Sequence, residues 1–244
     1  MYFQLEGATM VFAILRIFIL HIYLFQTISS LGAKETLIIR KNHISFSEFV
    51  SLFERAHQLG SKRNLQIHFT SQQSDEALPP YNRWEPEFWG DVNSPRINYT
   101  IGHLEATPTE KEMKKFYNVI KWGLSAGFAM MLDPFTTVED LREVIAQKTT
   151  SVVIWSSHGS SNGAVYDANE VQLPYGIFLE GDPKNYRRQF ILSNCFSDQT
   201  IKKYSWPGQS SQVYWEGTTD ATELFDYLMS DRWNADLREL GHQL

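Results

Sequence analysis

Apolar residues recur with two different periods along the chain after Ala33. Short apolar runs bounded by polar residues predict β-strands, and these are the segments 35–40, 64–70, 96–106, 128–132, 151–155 and 188–194. Apolar residues three and four positions apart predict amphipathic helices, and these are the segments 45–60, 109–127 and 136–147. Helices that alternate with strands in this way indicate βαβ units.

Each predicted helix presents one apolar face to the core. The three faces consist of Phe46, Phe49, Val50, Phe53 and Ala56; of Met113, Phe116, Tyr117, Ile120 and Leu124; and of Val138, Leu141, Val144 and Ile145. Thr137 and Asp140 have the spacing of a capping box, which marks the start of the third helix. The predicted fold class is therefore α/β, with a doubly wound, mostly parallel sheet and helices on both faces.

The pattern divides the chain into three regions. Residues 1–33 are an apolar N-terminal segment, 34–95 form a β-α-β region, and 96–244 form the larger α/β region. The β-α-β region ends in a connection, 71–95, that is rich in proline and tryptophan and has no periodicity, which is typical of a long exposed loop and of a site of cleavage. The strands before this connection are candidates to join one continuous sheet with the larger region.

The N-terminal segment is the main indicator of location. Its apolar run, Val11 to Phe25, is shorter than the roughly 20 residues of a spanning helix and is followed by small polar residues. This pattern predicts a signal peptide or an N-terminal membrane anchor, with a buried amphipathic helix as the alternative. A secreted, periplasmic or membrane-anchored protein is therefore expected rather than a cytoplasmic one. In an exported eukaryotic protein, the NYT tripeptide at 98–100 is a candidate glycosylation site.

Composition and charge narrow the possible functions. The net charge of −6 and the lack of any basic block argue against a nucleic-acid partner. Cys195 is the only cysteine, which excludes an intramolecular disulfide and a multi-cysteine metal site. The histidines lack metal-ligand spacing, so no metal and no cofactor are expected. The aromatic content of 14% is high and suits a rigid core or a binding surface.

Two predicted strands end next to residues with reactive side chains. His158 and Gly159 follow one apolar strand, and Cys195 follows the next. If these strands are neighbours in a parallel sheet, their carboxyl ends are level and the two side chains face one crevice. A cysteine nucleophile needs a group that takes its proton, and His158 can supply it. The N–H groups of Gly159 and Cys195 are suited to stabilise an acyl oxyanion.

This order of motifs resembles the caspase-like cysteine peptidases, the clan that includes caspases, legumains, gingipains, clostripain and separase. The similar stretch begins at about Asn64 or Ile97 and ends at Leu237; it contains LSAGFAMML, TTVEDLREVI, the histidine strand, the cysteine strand and QVYWEGTTDATELFDYLM. The resemblance implies that His158 is the general acid and base and Cys195 the nucleophile. It also implies an oxyanion hole at the N–H groups of Gly159 and Cys195, and a peptide or protein substrate.

The chain departs from true caspases in two respects. His158 and Cys195 are closer in sequence than the roughly 50 residues of the caspase signature, and LSNCFSD lacks the Q-A-C-x-G motif. A preference for aspartate therefore does not carry over. Two alternatives to an active peptidase remain: a catalytically inactive caspase-like module with an interaction or regulatory role, and a different arrangement in which Cys195 is a core residue and His158 lies in a loop.

Three residues are candidates for substrate binding. Asp198 places a negative charge near Cys195 and suits a basic substrate side chain, although a plain exposed loop acid is the simpler interpretation. Tyr166 and Tyr175 lie between the two reactive strands and are candidates to shape a pocket. An edge strand of the sheet is suited to receive a peptide by β-addition. The preferred side chain and the oligomeric state are open at this point.

Overall fold

The computed structural model describes residues 35–41, 44–59, 63–69, 95–104, 108–147, 150–180 and 187–242. The predicted leader, 1–33, and the proline-rich connection, apart from Pro95, lie outside the described residues. One compact unit comprises Thr36–Leu244. Among the described residues, no helix combines the length and the apolar character needed to cross a membrane.

Seven strands within the described residues form one sheet. They are β1 (Glu35–Lys41), β2 (Arg63–Phe69), β3 (Arg96–Ile101), β4 (Ala129–Asp133), β5 (Thr150–Ser156), β6 (Arg188–Ser193) and β7 (Ser210–Val213). Their spatial order is β1-β2-β4-β3-β5-β6-β7. The pairs β3–β4, β3–β5, β5–β6 and β6–β7 are parallel, whereas β2 pairs with β4 in the antiparallel direction. The predicted mostly parallel sheet is therefore confirmed, and β1 and β2 belong to the same sheet as the larger region.

Helices cover both faces of this sheet. They are α1 (Phe46–Leu59), α2 (Glu110–Ser125), α3 (Val138–Ala146), α4 (Ser197–Lys203), α5 (Ala221–Leu228) and α6 (Asp231–Glu239). Side chains of α1, α2, α5 and α6 pack on one face together with Ile154 and Ile191. Side chains of α3 and the short 3-10 helix Ile177–Leu179 pack on the opposite face together with Trp155 and Leu192. Neighbouring residues of one strand thus enter different cores, because side chains alternate across a sheet.

Local capping residues fix where two of the predicted helices begin. The side chain of Thr137 accepts a hydrogen bond from the Asp140 N–H, and Asp140 Oδ2 accepts one from the Thr137 N–H at 2.8 Å, so the predicted capping box is confirmed. Thr109 and Glu112 form the same arrangement at the start of α2. Each box satisfies N–H groups that the first helical turn leaves without a partner.

The central strands leave no exposed position for glycosylation. Asn98 lies in β3 with a fully buried side chain, and its Nδ2 donates to Thr150 Oγ1 at 3.1 Å. Thr100 is also fully buried and donates to the Ile154 carbonyl oxygen at 2.7 Å. The glycosylation site inferred from the NYT tripeptide is therefore wrong in this fold, because a glycan requires a surface position.

The last two helices are bonded to the strand that leads to Cys195. Trp233 Nε1 of α6 donates to Gln189 Oε1 of β6 at 3.1 Å, and Gln189 Nε2 donates to the Tyr227 hydroxyl of α5 at 3.1 Å. The Tyr227 hydroxyl donates in turn to Asp236 Oδ2. Burial and the neighbouring carboxylate raise the pKa of Tyr227 above its ordinary value, so the hydroxyl keeps its proton and remains a donor.

Candidate active site

The two strands that precede the reactive residues are direct neighbours. β5 and β6 run in parallel register from Val152 opposite Gln189 to Ser156 opposite Ser193. The register continues one residue beyond the strands, where the Ser157 N–H donates to the Ser193 carbonyl oxygen at 3.3 Å. His158 and Cys195 therefore each lie two residues beyond the end of their strand, at the same edge of the sheet.

Both residues line a single cavity of about 350 Å³. The strand ends contribute a mostly polar side that contains Ser156, Ser157, His158, Ser193, Asn194 and Cys195. Side chains of α1, α2, α5 and β3 and of the segments next to them make up the rest of the lining, which is mainly apolar. His158 and Cys195 are both half-buried. A concave, mostly apolar site with a few convergent polar groups is typical of ligand and active sites.

The turn that carries Cys195 has an unusual backbone conformation. Phe196 follows the cysteine with φ 56° and ψ 35°, in the left-handed region that few residues other than glycine adopt. Its N–H donates to the Gly217 carbonyl oxygen at 2.5 Å. The chain then enters α4 directly, so Cys195 occupies a sharp turn between a strand and a helix. Such strained positions persist only where the surrounding structure holds them.

The segment between β7 and α5 holds this turn from one side. Ser197 Oγ donates to the Trp215 carbonyl oxygen at 3.0 Å and accepts from the Trp215 N–H at 2.8 Å. The Cys195 thiol is directed at the Thr219 carbonyl oxygen, with a distance of 3.7 Å between sulfur and oxygen. Thr219 and Asp220 of this segment, and Ala221 at the start of α5, line the cavity, and none of the three is among the predicted site residues.

Asn194 holds the turn from the other side. It is only 2% exposed, and its Nδ2 donates to the Cys195 carbonyl oxygen at 3.0 Å and to Thr200 Oγ1 at 3.1 Å. Its Oδ1 has no hydrogen-bond partner among the described residues. The Cys195 carbonyl oxygen fixes which way the amide group points, since a flipped amide would set its oxygen against this carbonyl oxygen. Asn194 was not among the predicted site residues, because its sequence position alone does not reveal these contacts.

The backbone after His158 lies against the cysteine turn. The His158 N–H donates to the His103 carbonyl oxygen at 2.6 Å, which fixes the start of this segment beside the loop after β3. A Cβ added to Gly159 would lie 2.7 Å from Asn194 Nδ2 and would overlap the Cys195 carbonyl oxygen. Within the described part of the chain, neither the Gly159 N–H nor the Cys195 N–H donates a hydrogen bond. The structure thus places Gly159 against the turn of Cys195 and lets His158 and Cys195 line one cavity, while their catalytic roles stay a prediction.

The three predicted substrate-binding residues are not among the described residues that line this cavity. Asp198 Oδ2 accepts from Gln199 Nε2 at 2.6 Å and from Lys202 Nζ at 3.4 Å. Tyr175 is 49% exposed, and hydrogen bonds from Gln172 and Lys203 lower its pKa. The carbonyl oxygen of Tyr166 accepts from the His103 N–H at 3.2 Å. A substrate contact by any of the three stays a prediction.

One buried tyrosine lies in the cavity close to the strand ends. Burial raises the pKa of Tyr99 to about 12, against a smaller opposing effect of its hydrogen bond with Ser156. Its hydroxyl is therefore neutral at physiological pH and is a hydrogen-bond donor or acceptor rather than an anion. Within the described residues, no group of three or more histidine, cysteine, aspartate or glutamate side chains is arranged to hold a metal ion.

Fold and site together define an α/β protein with a cysteine and a histidine that line one cavity beyond the ends of adjacent parallel strands. The chain itself matches no known family model and no curated protein.

Proposed function

We propose that the protein is a caspase-like cysteine endopeptidase that hydrolyses peptide bonds through Cys195 and His158. The observation that carries the proposal is the shared cavity beyond the level ends of β5 and β6, which both residues line. The order of elements that underlies the resemblance supports it as well. A helix, a short strand and a threonine-capped helix precede the histidine strand, and the cysteine strand is followed by a further strand and helix.

Catalysis begins with transfer of the Cys195 thiol proton to the His158 ring. The thiolate attacks the carbonyl carbon of the scissile bond and forms a tetrahedral intermediate. His158 then donates the proton to the leaving amine, the bond between carbon and nitrogen breaks, and a thioester on Cys195 remains. Water activated by His158 hydrolyses this thioester and releases the acid product. No step of this sequence requires a metal or a cofactor.

The N–H groups of Gly159 and Cys195 stabilise the oxyanion of the tetrahedral intermediate. Two features support this role: neither N–H donates a hydrogen bond within the described residues, and the missing side chain at Gly159 lets the two backbone segments approach closely. Donors of this kind are already in place before the charge develops, and the loss of one typically lowers kcat by about 10²- to 10³-fold.

A cleavage profile on a peptide library, followed by substitution of both residues, tests the proposal. Cys195→Ala and His158→Ala are each expected to lower kcat/KM by about 10³-fold or more, because each removes a group that the chemistry needs. Alkylation of Cys195, the only thiol of the chain, is expected to have the same effect. His57→Ala is the matched control, because His57 is exposed on α1 and does not line the cavity.

Two results would contradict the proposal in different ways. Full activity in the Cys195 and His158 variants would remove these residues from the mechanism. A folded protein that cleaves no peptide of the library would favour the alternative of an inactive caspase-like module with an interaction or regulatory role.

A further inference from the structure

Six apolar side chains form an apolar wall of the cavity that Cys195 and His158 line. They are Phe53, Ile101, Leu104, Met113, Phe116 and Phe225, from α1, β3, the loop after β3, α2 and α5. Five of these six side chains are at most 6% exposed, and Leu104 is half-buried. The apolar wall therefore continues the core between the helices out to the reactive residues.

The charged groups of the cavity are already bonded to the protein. Glu112 Oε2 accepts from both the N–H and the hydroxyl of Thr109, each at 2.7 Å. Asp220 Oδ1 accepts from the N–H groups of Thr222 at 2.7 Å and Glu223 at 3.2 Å. Both carboxylates thus cap helices, and among the described lining residues there is no lysine or arginine. Among the described residues, the cavity thus offers no cation to an acidic side chain, and its two carboxylates are part of helix caps.

The position of the cavity next to Cys195 indicates which residue of a bound peptide would occupy it. In the thioester, the carbonyl carbon of the acyl residue is bonded to Cys195 Sγ, and its α-carbon is only one bond further away. A cavity that begins at this sulfur therefore lies nearest to the side chain of the acyl residue. The volume of about 350 Å³ is near the lower end of ligand pockets, which span about 300–1,000 Å³, and suits one large side chain.

We propose that this cavity binds the side chain of the residue on the carbonyl side of the scissile bond and selects a large apolar one, such as leucine, methionine or phenylalanine. The inference rests on the proposed peptidase function and adds the substrate class. An acidic side chain would lose its hydration against the apolar wall without gaining a counter-charge, and a basic one would lose it while both carboxylates remain engaged in helix caps, which favours an apolar side chain over either.

The test compares peptide substrates that differ only in the acyl residue and carry one fluorogenic leaving group. We expect kcat/KM for leucine and phenylalanine to exceed that for alanine by about 10- to 200-fold, the range that contacts in an apolar pocket give. The kcat/KM for aspartate is expected to fall below that for alanine, and the kcat/KM for arginine below that for leucine. If either charged residue matches leucine while Cys195→Ala removes all cleavage, the peptidase function stands and the inference about its specificity is overturned. Absence of cleavage for every substrate overturns both.

Two variants at Leu104 test whether this wall makes the selection. Leu104→Trp narrows the cavity. We expect it to lower kcat/KM for the phenylalanine substrate at least tenfold relative to kcat/KM for the alanine substrate. Leu104→Asp adds a carboxylate. We expect it to raise kcat/KM for the arginine substrate relative to that for the leucine substrate. Leu124→Trp is the matched control, because Leu124 is also half-buried against the same core but does not line the cavity. Thermal unfolding identifies any variant that does not fold. An unchanged ranking of substrates in the folded Leu104 variants would overturn the assignment.

Discussion

The carbonyl oxygen of Cys195 occupies the space that a side chain on Gly159 would need. The segment after His158 and the turn after β6 are therefore packed backbone against backbone, and Asn194 is in contact with both. This close approach results from the parallel pairing of β5 and β6, which brings the two segments out of the sheet at the same level.

Gly159→Ala is expected to lower the proposed peptidase activity by at least about 10²-fold, because the added methyl group forces apart the two backbones that supply the proposed oxyanion hole. The free energy of unfolding is expected to fall by about 1–3 kcal/mol, the usual range for overpacking. Peptide cleavage and urea denaturation measure the two effects. Gly208→Ala is the control, since a Cβ at Gly208 meets no atom within 4 Å and should leave activity unchanged.

Asn194→Ala is expected to lower kcat at least tenfold, because the Cys195 carbonyl oxygen loses the amide that holds it. The loss of a buried partner also lowers the free energy of unfolding by about 1–3 kcal/mol. Thr200→Val provides the comparison, since it removes the other acceptor of the Asn194 amide and leaves the bond to Cys195 in place. If both variants lose stability equally and neither loses kcat, Asn194 has a purely structural role.

Because the backbone of Phe196 is left-handed, we expect a polar variant at this position to be more stable than a hydrophobic, β-branched one. Phe196→Asn is expected to be more stable than Phe196→Val by about 1 kcal/mol, because asparagine tolerates this conformation and β-branched residues do not. Hydrophobicity alone predicts the opposite order, so the comparison separates the two causes. Denaturation midpoints of both variants in urea provide the measurement, and greater stability of the valine variant would count against backbone strain at this position.

Burial of Tyr99 predicts a loss of stability at alkaline pH. Its pKa is raised from the ordinary value of 10.0 to about 12. The contribution of Tyr99 to the free energy of unfolding is therefore complete below pH 10 and is lost as the pH rises through the folded-state value. Linkage gives a loss of about 1.4 kcal/mol between pH 9 and pH 11 from this group. In Tyr99→Phe this part of the loss should be absent, whereas the part from Tyr204, whose pKa is also raised to about 12, remains. Urea unfolding at both pH values measures the difference, and identical losses in parent and variant would contradict the assignment.

Local patterns in the sequence predict most elements of this fold. The apolar spacing that ends in Ile145 and the pairing of Thr137 with Asp140 depend only on neighbouring residues, and α3 forms where they predict it. The direction of β2 could not be predicted in this way. Its antiparallel pairing with β4 depends on the arrangement of the whole sheet and not on the local sequence. Periodicity also misses the short helix α4 and the last helix, α6, whose apolar contacts rest mainly on Trp233 and Leu237.

The candidate site also contains residues that the sequence predicts and residues that it does not. His158 and Cys195 could be predicted because strand ends in a parallel sheet converge on one edge. Met113 and Phe116 could be predicted to face inward. The apolar pattern does not distinguish a side chain that packs in the core from one that lines a cavity. Thr219 could not be predicted, since its carbonyl oxygen reaches the thiol through backbone position and not through its side chain.

The hydrogen bonds of Gln189 have a consequence for the order of events during synthesis. This residue lies near the start of the strand that leads to Cys195, and its two partners, Tyr227 and Trp233, follow it by 38 and 44 residues in the chain. Until those residues have left the ribosome, the side-chain amide of Gln189 lacks both of these partners. The strand that leads to Cys195 therefore reaches its full set of side-chain hydrogen bonds only after α5 and α6 have been synthesised.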